Sequence, residues 1–419
     1  MSETPKSGML RLAAMIEWTT CRLGYCCVLT VSVALVFAMW GGTADAQDKT
    51  MNQRAMGRYL APYIGDPTYF DNRVLDQMSG SIYGTMTTAG FQNMAMFHNT
   101  LANVLRRDQN SIRMFMFQER PEPPYVSNVP QDDFWGTIYG NSGTMHSDGN
   151  TGKYRQDFTG VMGGFNAINN SRQRLGCVFS AGFGELKGTI GDRTCSTEFL
   201  MGIHYRRDTA NTYFLTQAGL GNQHYDTKRK VEFGNITDPN WWFTQTAKSK
   251  FNAPFTTSHI EAGLKYRGGV LNLSPFVGAQ YTGLMRKGFR EKGAGDLNLR
   301  SAEHVYHSIR TLFGMRLDSR TFRCYKGLAS MYGNVAWVYE FDQICERHTK
   351  FTARLKDSQF RNLGRYTVHG NDPGRDWIQA GFGINYDMFP DLRASLGYDA
   401  YANTNQVMHT VNCGFVYQR

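Results

Sequence analysis

The segment Trp377–Arg419, WIQAGFGINYDMFPDLRASLGYDAYANTNQVMHTVNCGFVYQR, decides the fold. Ile378, Ala380, Phe382, Ile384 and Tyr386 alternate with Gln379, Gly381, Gly383 and Asn385. After Met388-Phe389-Pro390-Asp391 the pattern resumes, with Leu392, Ala394, Leu396, Tyr398 and Ala400 set between Arg393, Ser395, Gly397 and Asp399. A turn at Asn403-Thr404-Asn405 leads to a third run, in which Val407, Val411, Phe415 and Tyr417 are interleaved with Thr410, Asn412, Gly414 and Gln418. Successive side chains of a strand point to opposite faces, so each run has one apolar face and one small or polar face. Such a strand fits either an antiparallel sheet with one solvated face or a barrel with lipid outside and a wet lumen.

Recurrence of the pattern decides between the two. Nine further alternating runs lie upstream: Phe134–Gly140, Phe158–Asn166, Leu175–Gly184, Phe199–Tyr205, Tyr213–Leu220, His259–Tyr266, Leu271–Tyr281, Ser308–Leu317 and Val335–Phe341. The faces opposite their apolar residues carry Glu261, Lys265, Arg310 and Arg316, and in a closed barrel these line the lumen with Glu340, Arg393 and Asp399. Loop lengths agree. Short turns at Arg207–Asn211, Gly268-Gly269 and Asp387–Asp391 follow even-numbered runs. Long connections at Gly143–Arg155, His224–Ser258, Leu284–Val305 and Asp342–Arg375 follow odd-numbered ones. Outer-membrane barrels have this parity, with short periplasmic turns and long external loops. Asp318–Asn334 is long where a short turn is expected, and its Phe322 and Tyr325 are placed to extend the flanking strands.

Composition is consistent with this. Charged residues make up 19% and aromatics 13%, with 44 Gly and 22 Tyr, a balance suited to a membrane barrel rather than a helical enzyme. Mean hydropathy is −0.43, as expected when only alternate residues meet lipid. The net charge of +10 is diffuse and forms no nucleic-acid footprint. At the N-terminus, Arg11 and Arg22 precede the apolar run Cys26–Trp40 and then Ala44-Asp45-Ala46, which reads as a signal peptide over residues 1–46 cut before Gln47. The alternative, an uncleaved anchor, is disfavoured because the run is shorter than the roughly 20 residues a span needs. Residues 47–130 read as a helical linker and pore segment, and 131–419 as the barrel. Within the linker, a helix opens at Asn52-Gln53-Arg54-Ala55, and a longer one starting at Ser79 or Ala89 ends at Arg106-Arg107, before Pro121, Pro123 and Pro124.

The chain resembles the translocator domain of the autotransporter (type V secretion) family from about Asn52 onward. The resemblance rests on Asn52-Gln53-Arg54-Ala55, Leu75-Asp76-Gln77-Met78-Ser79-Gly80-Ser81-Ile82-Tyr83, Phe134-Trp135-Gly136, Leu273-Ser274-Pro275-Phe276, Gly288-Phe289-Arg290-Glu291-Lys292-Gly293-Ala294 and Ser308–Gly314 in that order. It implies an all-β membrane protein, a twelve-stranded antiparallel transmembrane β-barrel with an N-terminal helix in the lumen, acting as translocator or pore. It would bring Glu261, Glu340 and Asp399 to the basic helix end at Arg106 and Arg107. The partners implied are outer-membrane lipid and the barrel-assembly machinery, with a monomeric barrel and no cofactor. Two departures stand out: almost nothing lies between Gln47 and Asn52 where the family carries a passenger, and the C-terminus is Val416-Tyr417-Gln418-Arg419 rather than an aromatic residue. The competing function is an adhesin or structural barrel acting through its outer loops.

Catalysis finds little support. Glu303, His304 and His307 share one loop and read as a solvated rim, and no G-x-S-x-G or H-E-x-x-H occurs. Trp241-Trp242-Phe243 reads as an interfacial anchor. Cys21, Cys26 and Cys27 fall in the signal region, leaving Cys177, Cys195, Cys324, Cys345 and Cys413 with no metal or redox spacing. The strand directions keep Cys177 from Cys195 and Cys324 from Cys345, and only Cys195 and Cys345 share a rim. The alternation also predicts that Phe382→Arg impairs insertion while Gln379→Arg, one face over, is tolerated.

Overall fold

In the computed structural model the described residues are 49–64, 72–107, 133–170, 172–235, 238–268, 271–325, 327–341, 349–356, 364–389 and 392–418; the signal-peptide expectation falls outside them. Three helices come first: α1 (Met51–Ile64), α2 (Asn72–Ser79) and α3 (Ile82–Arg107). Twelve long strands follow: β1 (Asp133–Met145), β2 (Tyr154–Asn169), β3 (Gln173–Gly188), β4 (Arg193–Asp208), β5 (Thr212–Asn235), β6 (Asp238–Leu264), β7 (Leu271–Arg286), β8 (His304–Ser319), β9 (Gly327–Glu340), β10 (Asp376–Phe389), β11 (Leu392–Ala402) and β12 (Gln406–Gln418). Each of the twelve expected runs lies within or largely overlaps one of these strands.

All neighbours are antiparallel, and the first strand pairs with the last, from Asp133↔Gln418 to Met145↔Gln406. The sheet therefore closes with no free edge, the condition for strands to span a bilayer. Residues of the expected lipid face project outward: Phe134, Ile138, Phe199, Ile203, Ile260, Phe313, Ile378, Phe382, Leu396, Val411 and Phe415 are all exposed. A contiguous apolar surface of this size is stable only in lipid. No helix among the described residues is long and apolar enough to cross a membrane.

The odd-to-even connections lie at one end of the barrel and the short even-to-odd turns at the other. The stretch read as a long loop after β5 is ladder instead, since β5 and β6 stay paired from Thr212↔Leu264 out to Phe233↔Phe243. At 24 and 27 residues they are more than twice the roughly 10 residues a membrane strand needs, and they project as a two-stranded ribbon. The long connection between β8 and β9 shortens in the same way: Phe322–Cys324 folds back on Gly327–Ala329. The connections after β7 and β9 contribute short strands to a separate four-stranded sheet, in the order Tyr366–His369, Lys350–Leu355, Leu299–Ser301 and Phe289–Arg290. Cys177, Cys195, Cys324 and Cys413 are free. Cys195 pairs across the ladder with Glu185, eight residues along β3 from Cys177, so the separation argued from strand direction is the one observed. Cys345 lies outside the described residues.

Candidate functional site: the filled lumen and its outer cap

The helix α3 has no charged residue from Ile82 to Leu105, and amides, hydroxyls and one imidazole stand among its apolar side chains. Its described residues are buried on every face, Thr85, Gln92, His98, Thr100 and Asn103 as fully as Phe91, Met94 and Leu101. Only an enclosure of mixed polarity satisfies such a helix, because a buried amide without a partner costs more than a hydrogen bond returns. The barrel supplies the partners from all sides. Asn93 accepts from Gln156 of β2 at 2.8 Å and from Asn141 of β1 at 3.4 Å. Gln92 bonds Gln406 of β12. His98 Nδ1 meets Gln217 of β5 and its Nε2 meets Thr257 of β6, both at 2.7 Å. Asn99 accepts from Gln379 of β10 at 2.7 Å, and Asn103 donates to Asp399 of β11 at 3.3 Å. Arg174 of β3 donates to the Leu105 carbonyl at 2.6 Å, and Arg106 pairs with Asp318 of β8 at 3.4 Å. A helix bonded to nine of twelve encircling strands lies in the lumen.

The lumen is not simply wet. Trp135, Tyr139, Phe158, Leu200, Tyr225 and Phe255 point inward and share one apolar cluster with Met86, Phe91, Met94, Phe97 and Leu101 of α3. Strict alternation assigns the inner face to small and polar groups. It fails at these positions because the inner wall packs on a helix, not on water.

The seven residues read as lumen-lining fall on the inner side, but most pair with one another. Glu261 of β6 is bonded by Arg316 of β8 and accepts from Tyr213 at 2.7 Å. Arg310 of β8 meets Glu340 of β9 at 3.0 Å, and Arg393 of β11 is bonded to Asp387 of β10. Lys265 sits half-buried at the short-turn rim, 2.5 Å from Asp208. The expectation that Glu261 and Glu340 face the basic helix end is therefore wrong, since other strands of the wall already supply their counter-charges, Arg310 from the strand next to Glu340 and Arg316 from across β7. Asp399 does meet α3, but at Asn103, and the acid beside Arg106 is Asp318. The side chains of Arg107, Trp241, Trp242 and Phe243 lie outside the described residues. Gln379 touches α3, so Gln379→Arg would press a cation on Asn99, and tolerance is no longer expected there. Glu303 pairs with Lys287 at 2.9 Å and His307 bonds Tyr281 at 3.0 Å, so these two residues face separate partners.

Sequence reasoning missed the outer cap. Gly80, at φ 70°, reverses the chain between α2 and α3, and a Cβ there would meet Leu299 Cδ1 at 2.6 Å. Arg229, on the ribbon, forks onto Glu291 at 2.6 and 3.0 Å, with both side chains fully buried. Its remaining protons reach the Gln77 carbonyl at 2.7 Å and the Leu297 carbonyl at 2.8 Å. Glu291 also accepts from Tyr83 at 2.7 Å and from the Leu299 amide at 2.6 Å. One satisfied ion pair thus ties α2, the start of α3, the ribbon and the loop after β7 together. Beside it, α3 and the loop after β9 meet backbone to backbone, where a Cβ on Gly84 would lie 2.2 Å from the Thr349 carbonyl. Asp192, in the β3–β4 turn, accepts from the Lys230 amide at 3.1 Å. Burial pushes its carboxyl up to about 7 against the pull of Arg229. The sequence signal for this cap was slight, namely charges inside a Gly- and Phe-rich loop, 62 residues from their partner.

A closed barrel with an apolar belt and a helix-filled lumen defines an outer-membrane protein of the pore type. Residues 134–399 match the family described as Autotransporter beta-domain. The chain belongs to that family and is an outer-membrane translocator barrel. Two proteins from Serratia marcescens, each named extracellular serine protease, are 23% and 22% identical over 82% of this chain, which spans 30% of their length. The translocator domain of autotransporter NalP from Neisseria meningitidis superposes with a TM-score of 0.57 at 13% identity, covering 81% of this chain and 99% of that one. That likeness extends to the fold.

Proposed function

We propose that the chain is a translocator barrel held in a sealed state, with α3 occupying the path and the cap locking its outer end. The carrying observation is the ring of hydrogen bonds, completed by one ion pair, from one helix to nine strands of the wall. The exposed apolar belt fits a single barrel surrounded by outer-membrane lipid and delivered there by the barrel-assembly machinery. Several described charges of the lumen are engaged structurally, Glu261 with Arg316, Glu340 with Arg310 and Asp399 with Asn103, which supports a conduit role rather than a catalytic one. The protease activity named for the Serratia proteins fits a passenger, which the 30% of their length matched here does not include.

Conductance in planar bilayers tests the proposal. The full chain should stay closed, whereas a variant lacking residues 49–107 should open a steady aqueous channel, because an unfilled barrel of this strand number leaves a lumen. Equal conductance of the two would defeat it.

A further inference from the structure

The small outer sheet has two faces of opposite character. Phe289, Leu299, Phe351, Ala353, Leu355, Tyr366 and Val368 are buried against the cap. On the other face stands a row of guanidinium groups. Arg290 is the direct cross-strand partner of Arg300, and Arg300 of Arg354. Arg365 directly precedes Tyr366, the partner of Ala353, so it continues the same register beside Arg354. Four arginines thus stand abreast in steps of roughly 4.8 Å, spanning about 14 Å. Like charges set directly opposite destabilise a sheet. The effect registers at Arg300, whose pKa is held below the arginine range by Arg290, then by desolvation, Arg354 and Arg365. None of the four has a carboxylate partner among the described residues.

The row borders a groove of about 660 Å³ that also receives Arg286. Arg286 is 1% exposed. It stacks on Phe351 at 5.0 Å and Phe289 at 5.4 Å and donates to Ser301 Oγ at 2.8 Å. No carboxylate among the described residues meets its charge, and an uncompensated buried cation is costly. The acid of the groove, Glu303, is taken by Lys287, and Lys250 by Asp226 at 2.9 Å.

We propose that this groove binds a ligand carrying several closely spaced phosphate groups. Each arginine offers a planar fork that matches phosphate oxygens in pairs. The row presents those forks at even spacing, and the anion would lift the repulsion that the empty row carries. Two sources share this chemistry, the phosphates of an outer-leaflet glycolipid and a soluble polyphosphate.

The whole chain and the double variant Arg300→Gln/Arg354→Gln should be compared at low salt. Tripolyphosphate titrated calorimetrically into detergent-solubilised protein probes the soluble source. Melting in phosphatidylcholine nanodiscs with and without diphosphoryl lipid A probes the lipid source. The double variant should bind at least about tenfold more weakly, or lose the lipid-dependent rise in Tm. Its own Tm without ligand should equal or exceed that of the wild type, because repulsion has been removed, and this separates lost binding from lost folding. A response to tripolyphosphate alone identifies a soluble ligand, and one to lipid A alone a headgroup. No response to either, or equal responses from both proteins, overturns the proposal.

Discussion

The two ends of α3 are held differently. At the outer end, Tyr83 and Gly84 enter a closed network in which Arg229 and Glu291 are wholly buried. At the other end, Arg106 stacks over Tyr332 at 5.0 Å and reaches Asp318 at 3.4 Å, and that acid is 18% exposed. Arg106 Nη1 and Nη2 are buried without partners among the described residues. The outer end is a lock made by four chain segments around one doubly bonded ion pair, whereas the inner end has the Arg174 bond to the Leu105 carbonyl and one longer pair whose acid water still reaches. Removing one partner of a wholly buried pair strands a charge that nothing solvates, whereas an acid that water still reaches stays partly solvated when its cation is lost. The proposed sealed state is therefore expected to depend on the cap more than on the inner end.

The largest expected effect comes from cutting the lock on one side. Arg229→Met leaves Glu291 buried without its cation and should cost about 3–5 kcal/mol. Thermal melting should show the loss, and bilayer recordings should show openings. Adding Glu291→Leu removes the stranded charge and should restore most of the stability. A single variant as mild as one at Arg106 would erase the distinction between the ends.

A smaller effect, with a sign that depends on pH, is expected next to the lock. The Asp192 carboxyl rises from 3.8 to about 7 on folding, so the folded state favours its protonated form. Its stabilising contribution is fully present below pH 3.8, erodes as pH rises, and is gone above about 7. Asp192→Asn cannot ionise. Its Tm should match the wild type in acid, gain on it through that window, and hold a constant lead above pH 7. A lead that is independent of pH would remove Asp192 from the account.

The smallest effect is expected at the far end. Arg106→Ala should cost less than Arg229→Met, because the acid it strands, Asp318, is still reached by water, and should leave the channel closed. Hydrogen exchange should then show faster opening in the last turn of α3 only. Exchange spreading to Tyr83 would mean that the helix is held as one unit.

Much of the fold was legible from local pattern. Phe382 against Gln379, or Phe313 against Arg310, gives the two faces of a strand without any knowledge of its neighbours, and loop parity gives strand direction. The helix ending at Arg107 was legible in the same way. The inward rings were not, because Trp135 and Phe158 follow the same period as polar lumen residues and differ only in what they meet. The lumen ion pairs were half legible: the charges were named, but their partners were placed on the helix instead of on other strands of the wall.

Alternation repeated twelve times, with the parity of the connections, determined from the sequence that this chain is built of two-faced strands arranged as a lipid-facing barrel, since side-chain direction along a strand is fixed by backbone geometry alone. Tertiary structure alone decided how the lumen is sealed and where the arginine row stands. Arg229 and Glu291 are 62 residues apart, and Arg290, Arg300, Arg354 and Arg365 come from two different loops. Such groups meet only after the wall has closed and the loops have folded over it, and no local period records that meeting.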